Sequence, residues 1–198
     1  MKVFIDREPF YPSSPTVSRS KKRLIAEIEE EISKKGLTYT AITVDGVEID
    51  YSAFLRLRKG REAHIKTYQI KTLVFESLQE AENYLPRFTD GVQQIASEFE
   101  RNDQENIEEK MLNFAEGIGW LVNIMQKNQL LLKVEDSELP DKEETMLKLN
   151  TTLEKITECF HKGSIMEIAF HMRHGILPEV KNISEYITKL LKIVMHMQ

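Results

Sequence analysis

Along the first 74 residues apolar positions recur every second residue in short runs, and from Phe75 onward they recur every three to four. The first regime predicts strands and the second amphipathic helices, because side chains alternate across a strand but return to one helix face after about 3.6 residues. Val3, Ile5 and Phe10, with Arg7-Glu8 as the turn, predict a first hairpin over residues 2–11. Pro12-Ser13-Ser14-Pro15 interrupts regular structure. Ser18 or Ser20 can then cap a helix running to residue 35, with Gly36 as its stop. Leu24, Ile25, Ile28 and Ile32 form that helix's apolar stripe, and Glu27, Glu29, Glu30 and Glu31 are left to water. Residues 39–44 alternate, Asp45-Gly46 is a hairpin turn that needs positive φ at both positions, and Val47-Glu48-Ile49 returns. Residues 65–74 alternate once more. The order predicts an α+β protein whose residues 1–74 form a β-grasp-like (β-β-α-β-β) domain, with a ferredoxin-like split as the alternative.

In the second regime Leu78, Ala81, Leu85, Phe88, Val92, Ile95 and Phe99 step by threes and fours, as do Ile107, Met111, Phe114, Ile118, Leu121 and Met125. Arg101-Asn102-Asp103 leaves room only for a tight reversal between two antiparallel helices. Residues 130–141, ending in Pro140-Asp141, form a longer connection; Met146, Leu149, Leu153, Ile156 and Phe160 resume the pattern, and Lys162-Gly163 closes the third helix. A fourth starts near Ser164 and holds Pro178, whose missing N–H predicts a kink or break at Gly175-Ile176-Leu177-Pro178. Phe99 with Gly117-Ile118, and Phe160 with Gly175-Ile176, mark corresponding points of two hairpins of about 60 residues each. Each hairpin exposes a seam that the other can cover, which predicts an antiparallel four-helix bundle over residues 75–198.

Tyr84-Leu85-Pro86, the stretch from Phe99 to Glu116-Gly117-Ile118-Gly119-Trp120, and Ile176-Leu177-Pro178-Glu179 resemble uncharacterised bacterial proteins that pair a small α/β head with a helical tail. That resemblance implies the architecture and no activity. In general shape the tail is also similar to flagellar export chaperones, which are small acidic helical bundles.

Charge divides the chain along the same line. Residues 1–75 carry 14 Lys+Arg against 10 Asp+Glu, a net +4, and the remainder 13 against 22, a net −9. The total of −5 argues against nonspecific nucleic-acid binding by the whole molecule and leaves room for a local basic patch. Charges interrupt every hydrophobic run, so no membrane span is expected. An acid at position 6 leaves no signal-peptide core, and a single cysteine, Cys159, fits a reducing cytoplasm.

Three groups of residues invite chemistry. His161, Glu167, His171 and His174 gather near the junction of the last two helices, and Glu158-Cys159-Phe160-His161 has the E-x-x-H spacing of di-iron bundles. One copy of that element is insufficient, so no metal and no other cofactor is expected. Arg56, Arg58, Lys59, Arg61 and Lys66, with Phe54 and Tyr68 nearby, could hold phosphate while aromatics stack bases. Ile187, Leu190, Leu191, Val194 and Met197 overrun what a short hairpin partner can cover and predict an apolar strip for a homodimer or a protein partner. Gly117-Ile118-Gly119 reads as helix packing, Cys159 as an inert buried thiol, and the methionines as core. No serine-hydrolase, P-loop or dinucleotide pattern is present. The expected function is therefore a non-enzymatic interaction, assembly or chaperone-like protein. A nucleic-acid module acting through residues 56–66 and a metal-binding bundle enzyme are the alternatives.

Overall fold

Two-residue hairpin turns need positive φ at both central positions, which Asp and Gly adopt readily and Arg does not, and two such turns start the sheet. Asp6 (φ 47°) and Arg7 (φ 76°) join β1 (Lys2–Ile5) to β2 (Glu8–Phe10). Asp45 (φ 49°) and Gly46 (φ 87°) join β3 (Leu37–Val44) to β4 (Val47–Ile49). The first turn sits one residue earlier than expected, because Glu8 already pairs with Ile5 across the hairpin. The computed structural model has an α+β fold; it describes residues 1–139 and 141–197, with only the backbone described at Ser18. The chain divides into two compact units, Met1–Leu73 and Val74–Gln198.

In the N-terminal unit β5 (Glu62–Gln69) lies parallel to β1 and antiparallel to β3, giving a mixed sheet in the order β2-β1-β5-β3-β4. Residues 70–74, expected as strand, are helical. Gln69 is paired with Leu37, the first residue of β3, so no partner strand remains beyond it. The Ile70 N–H instead donates to the Gly36 carbonyl (2.9 Å) as α4 (Ile70–Glu100) begins. The proline-serine segment is not a simple break. Ser14 accepts from the Val17 N–H (3.3 Å) and Pro15 occupies the first turn of α1 (Pro15–Arg19), where its missing N–H costs nothing. Ser20 caps α2 (Lys21–Ser33) by accepting from the Arg23 N–H (3.4 Å); the side chain of Ser18, the other expected cap, lies outside the described residues. Leu24, Ile25, Ile28 and Ile32 of α2 bury against Val3, Ile42, Val44, Ala63 and Ile65 of the sheet. Phe54 completes this core from α3 (Tyr51–Arg56), a helix the periodicity did not disclose, capped where Asp50 accepts the Ala53 N–H (2.7 Å).

The second unit holds the rest of α4, α5 (Ile107–Leu132), α6 (Lys142–Lys162), α7 (Ile165–His171) and α8 (Leu177–His196). Its seams follow the expected spacing: Leu78, Leu85, Phe88, Val92 and Phe99 of α4 and Phe114, Ile118, Leu121 and Met125 of α5 are buried. A π turn over Met172–Ile176 joins α7 to α8, with Pro178 in the first turn of α8. The connection from Lys133 to Asp141 contains a 3₁₀ turn, Asp136–Glu138; Pro140 within it lies outside the described residues. The buried Gln129 amide anchors this loop, donating to Val134 O (3.1 Å) and Asp136 (2.9 Å) and accepting from Lys142 Nζ (2.7 Å).

Candidate functional site

The histidine group is not brought together as a ligand set: among the described residues no three His, Cys, Asp or Glu side chains are placed to hold a metal ion. His161 ends α6 with its ring at the edge of Phe160, His171 meets Phe170 edge-on (5.6 Å), and His174 in the π turn tilts against the same Phe170 (4.7 Å). Glu167 turns elsewhere, accepting from the Cys159 thiol (3.3 Å). Burial, followed by that carboxylate, pushes the Cys159 thiol upward, away from the thiolate a nucleophile needs. Glu158 of the E-x-x-H element pairs with Lys162 (3.6 Å), one turn along α6.

The C-terminal strip requires a correction. Ile187, Leu190 and Val194 have no exposed surface, Leu191 is buried and Met197 is half-buried. The 26-residue α5 and the 21-residue α6 are long enough for α8 to lie along both, so these side chains pack inside their own unit instead of forming an exposed strip. Of the methionines, Met125 and Met172 are core, whereas Met166 and Met195 are exposed. Gly117 is a packing glycine: a Cβ there would lie 2.6 Å from the Phe88 ring and from the Tyr84 hydroxyl, whereas one at Gly119 would meet open space.

The basic segment is spread over three elements. Arg56 ends α3, Arg58 and Lys59 are exposed in the loop that follows, Arg61 precedes β5, and Lys66 lies on the face of β5 turned away from α2. Phe54 is fully buried, so it cannot stack a base as expected. The loop is held at its end by Asp45, whose carboxylate accepts from the backbone N–H groups of Glu62 (2.9 Å) and Arg61 (3.0 Å). Those bonds, with the Arg61 charge, keep the Asp45 carboxyl below its usual range. Sequence spacing gave no warning that Lys21 belongs to the same region, with Nζ 5.1 Å from the Phe54 ring centre and 3.2 Å from Met1 Sδ.

A cavity of about 1010 Å³ in the N-terminal unit runs between the β1–β2 hairpin and α2. Ile5, Phe10, Val17, Ile32 and Leu37 give it apolar walls, and Ala26 and Tyr11 flank it. Several rim charges have partners: Glu27 accepts from Ser13 N (2.7 Å) and Oγ (3.0 Å), Glu30 pairs with Lys34 (2.8 Å) and Glu31 with Lys35 (3.0 Å), while Glu8 and Arg23 also line the cavity. Lys34 and Lys35 therefore serve as internal counterions. Strand β2 is an edge, yet Pro9 sits where its backbone faces outward, since Ile5↔Glu8 closes the two-residue turn and alternate pairs turn away. Lacking an N–H, that edge offers a strand no donor.

A second cavity, about 410 Å³, is polar and lies between α6 and α8. There Thr145 and Tyr186 share a buried hydrogen bond (3.2 Å), and Asn182 donates to Thr145 (3.3 Å) and Glu179 (2.9 Å). These partners explain why Thr145 and Glu179 tolerate burial.

A family model described as a domain of unknown function (DUF8042) matches residues 76–186. No curated protein and no solved structure matches the chain.

Proposed function

The chain belongs to the DUF8042 family, and from that premise we propose that it is a non-enzymatic interaction protein, with an assembly or chaperone-like role, whose α/β unit seats an apolar segment of a protein partner. The cleft between the hairpin and α2 carries this reading: Ile5, Phe10, Val17, Ile32 and Leu37 line it, and three of its carboxylates, Glu27, Glu30 and Glu31, already have partners. Such a surface recognises by burying side chains. Pro9 makes side-chain insertion the mode of docking, because strand addition needs a backbone donor at the edge.

The sheet order and the parallel β1–β5 pair support reading the N-terminal unit as a β-grasp. The seams of α4, α5, α6 and α8 support reading the second unit as a four-helix bundle, with α8 continuing α7 through the π turn. In this view the bundle is the stable body and the grasp the recognising part.

The test places a photo-crosslinking residue at Tyr11, which is 80% exposed beside the cleft, in the full chain in its native extract. Ala26, on the exposed wall formed by α2, is changed to Trp in parallel to fill the cleft. The expected result is one defined protein adduct that Ala26→Trp abolishes. No adduct, or an adduct indifferent to Ala26→Trp, overturns the proposal.

A further inference from the structure

We infer that the basic end of the N-terminal unit binds the phosphate backbone of single-stranded nucleic acid. Two basic runs more than thirty residues apart in sequence meet there: Arg19, Lys21 and Lys22 around the start of α2, and Arg56, Arg58 and Lys59 after α3. Lys21 is the junction. Its ammonium lies over the Phe54 ring and 3.2 Å from Met1 Sδ, and that sulfur is 3.3 Å from where a Cβ on Gly60 would stand. The Lys2 N–H then donates to the Arg61 carbonyl (2.8 Å), fixing the loop beside β1.

The charges at this end are uncommitted. Among the described residues Lys22, Arg56, Arg58 and Lys59 form no ion pair, whereas Lys34 and Lys35 at the far end of the same α2 are neutralised by Glu30 and Glu31. A row of unpaired guanidinium and ammonium groups repels itself, and a polyanion that replaces its counterions relieves that repulsion. Arginine suits phosphate in particular, since its planar fork donates two parallel hydrogen bonds.

A second feature separates nucleic acid from other polyanions. Phe4 and His64 pair across β1 and β5 and stack with ring centres 4.8 Å apart and planes 9° apart. They sit on the sheet face opposite α2, since their neighbours Val3, Ala63 and Ile65 bury in the core. His64 follows Arg61 by three residues of strand, about 10 Å, and Lys66 comes two residues later. The stacked rings and Lys66 thus share one face, beside Glu62, which lies 3.9 Å from His64 and 3.6 Å from Lys2, and a chain whose phosphates engage the basic loop and Lys66 can lay a base on the rings. An acidic protein or an anionic membrane would use the charges and leave the rings idle.

The test is fluorescence anisotropy of the full chain with a labelled single-stranded oligonucleotide, titrated at about 50 and 200 mM salt, where binding should fall with a log–log slope of about −0.7 per phosphate engaged. Arg58→Glu/Lys59→Glu should weaken binding at least about tenfold and flatten the slope. Lys22→Glu should weaken it severalfold, and His64→Ala about fivefold or more. Lys155→Glu, which makes the same charge change at an exposed site of α6, should leave it unchanged. Circular dichroism confirms that each variant is folded. Absence of salt-dependent binding overturns the inference, as does an equal loss with Lys155→Glu, or an unchanged affinity with Lys22→Glu. If His64→Ala is silent and polyglutamate or anionic vesicles bind equally well, the surface reads charge alone and the nucleic-acid assignment fails. Ala26→Trp fills a cavity these residues do not line, so this outcome and that of the crosslinking test are separable.

Discussion

The two units treat their side chains in opposite ways. In the helical unit two ion pairs tie separate elements: Lys110 meets Glu98 (2.8 Å), and Arg173 donates to Ser97 (2.8 Å) and Glu100 (2.9 Å). Its apolar seams, including all of α8 as far as Val194, are covered. In the α/β unit a cleft partly walled by apolar side chains stays open, and among the described residues Arg58, Lys59 and Lys22 form no ion pair. Buried seams make a stable body, whereas an open cleft is available for recognition, and outside its seams the helical unit also exposes Leu130 (79%) and Phe170 (58%). On the proposed reading, recognition falls to the α/β unit, outside residues 76–186 that the family model matches.

The sharpest way to break that contrast is within α8. Leu190→Ala removes a side chain with no exposed surface and should cost about 2–5 kcal/mol in chemical denaturation, through lost burial and an unfilled cavity. Met195→Ala, on the exposed side of the same helix, should cost no more than about 0.5 kcal/mol. Similar small losses at both positions would mean that the strip is open after all and that the helical unit is not closed.

That strip also shows what the sequence could and could not disclose. The seam residues of α4 to α8 were legible because a 3.5-residue recurrence says which side chains share a face. Ile187, Leu190 and Val194 were correctly placed on one face, but the same recurrence cannot say what lies against it. Whether a seam is covered depends on the lengths and angles of helices far away in sequence. In the α/β unit Asp45-Gly46 and the stripe of α2 were readable, since each is local. Tyr51–Arg56 was not, because six residues are too few for a period to emerge and its signal is the Asp50 cap alone. The strand end at Gln69 was invisible for a different reason: it is set by where β3 begins, not by the residues of β5. The candidate histidines share a stretch of chain, but the turn after α6 sends His161 toward Phe160 and His174 toward Phe170. Lys21 meets Phe54 through tertiary packing, for which neither segment carries a mark.

The Gly117-Ile118-Gly119 element offers a smaller and signed comparison inside the closed unit. Gly117→Val should destabilise by about 1–3 kcal/mol, because its Cβ would drive into Phe88 and Tyr84 and both rings are fixed, the second against Trp120 (5.1 Å). Gly119→Ala should instead stabilise by up to about 1 kcal/mol, since the site is open and alanine suits a helix interior better than glycine. Thermal midpoints of the two variants read the sign directly. Loss of stability in both would show that the two glycines face the same packed surface.

The smallest effect concerns how the α/β unit holds its basic loop. The Asp45 carboxylate accepts from the N–H groups of Glu62 and Arg61, and these bonds keep its folded-state carboxyl below the ordinary range. A carboxyl depressed by folding adds stability that is fully present above its unfolded value of about 3.9 and disappears as pH falls through the lower folded value. Asp45→Asn keeps an acceptor oxygen but removes the charge. The variant should therefore melt slightly below the wild type at neutral pH, and the gap should close in acid as the native carboxyl protonates. Melting from pH 7 to pH 3 at low salt reads this convergence, and a gap that is constant or widens in acid would mean that Asp45 holds the loop by shape alone. The same titration sharpens the nucleic-acid test, because releasing this tether frees the backbone of Arg61 and should loosen the loop that presents Arg58 and Lys59.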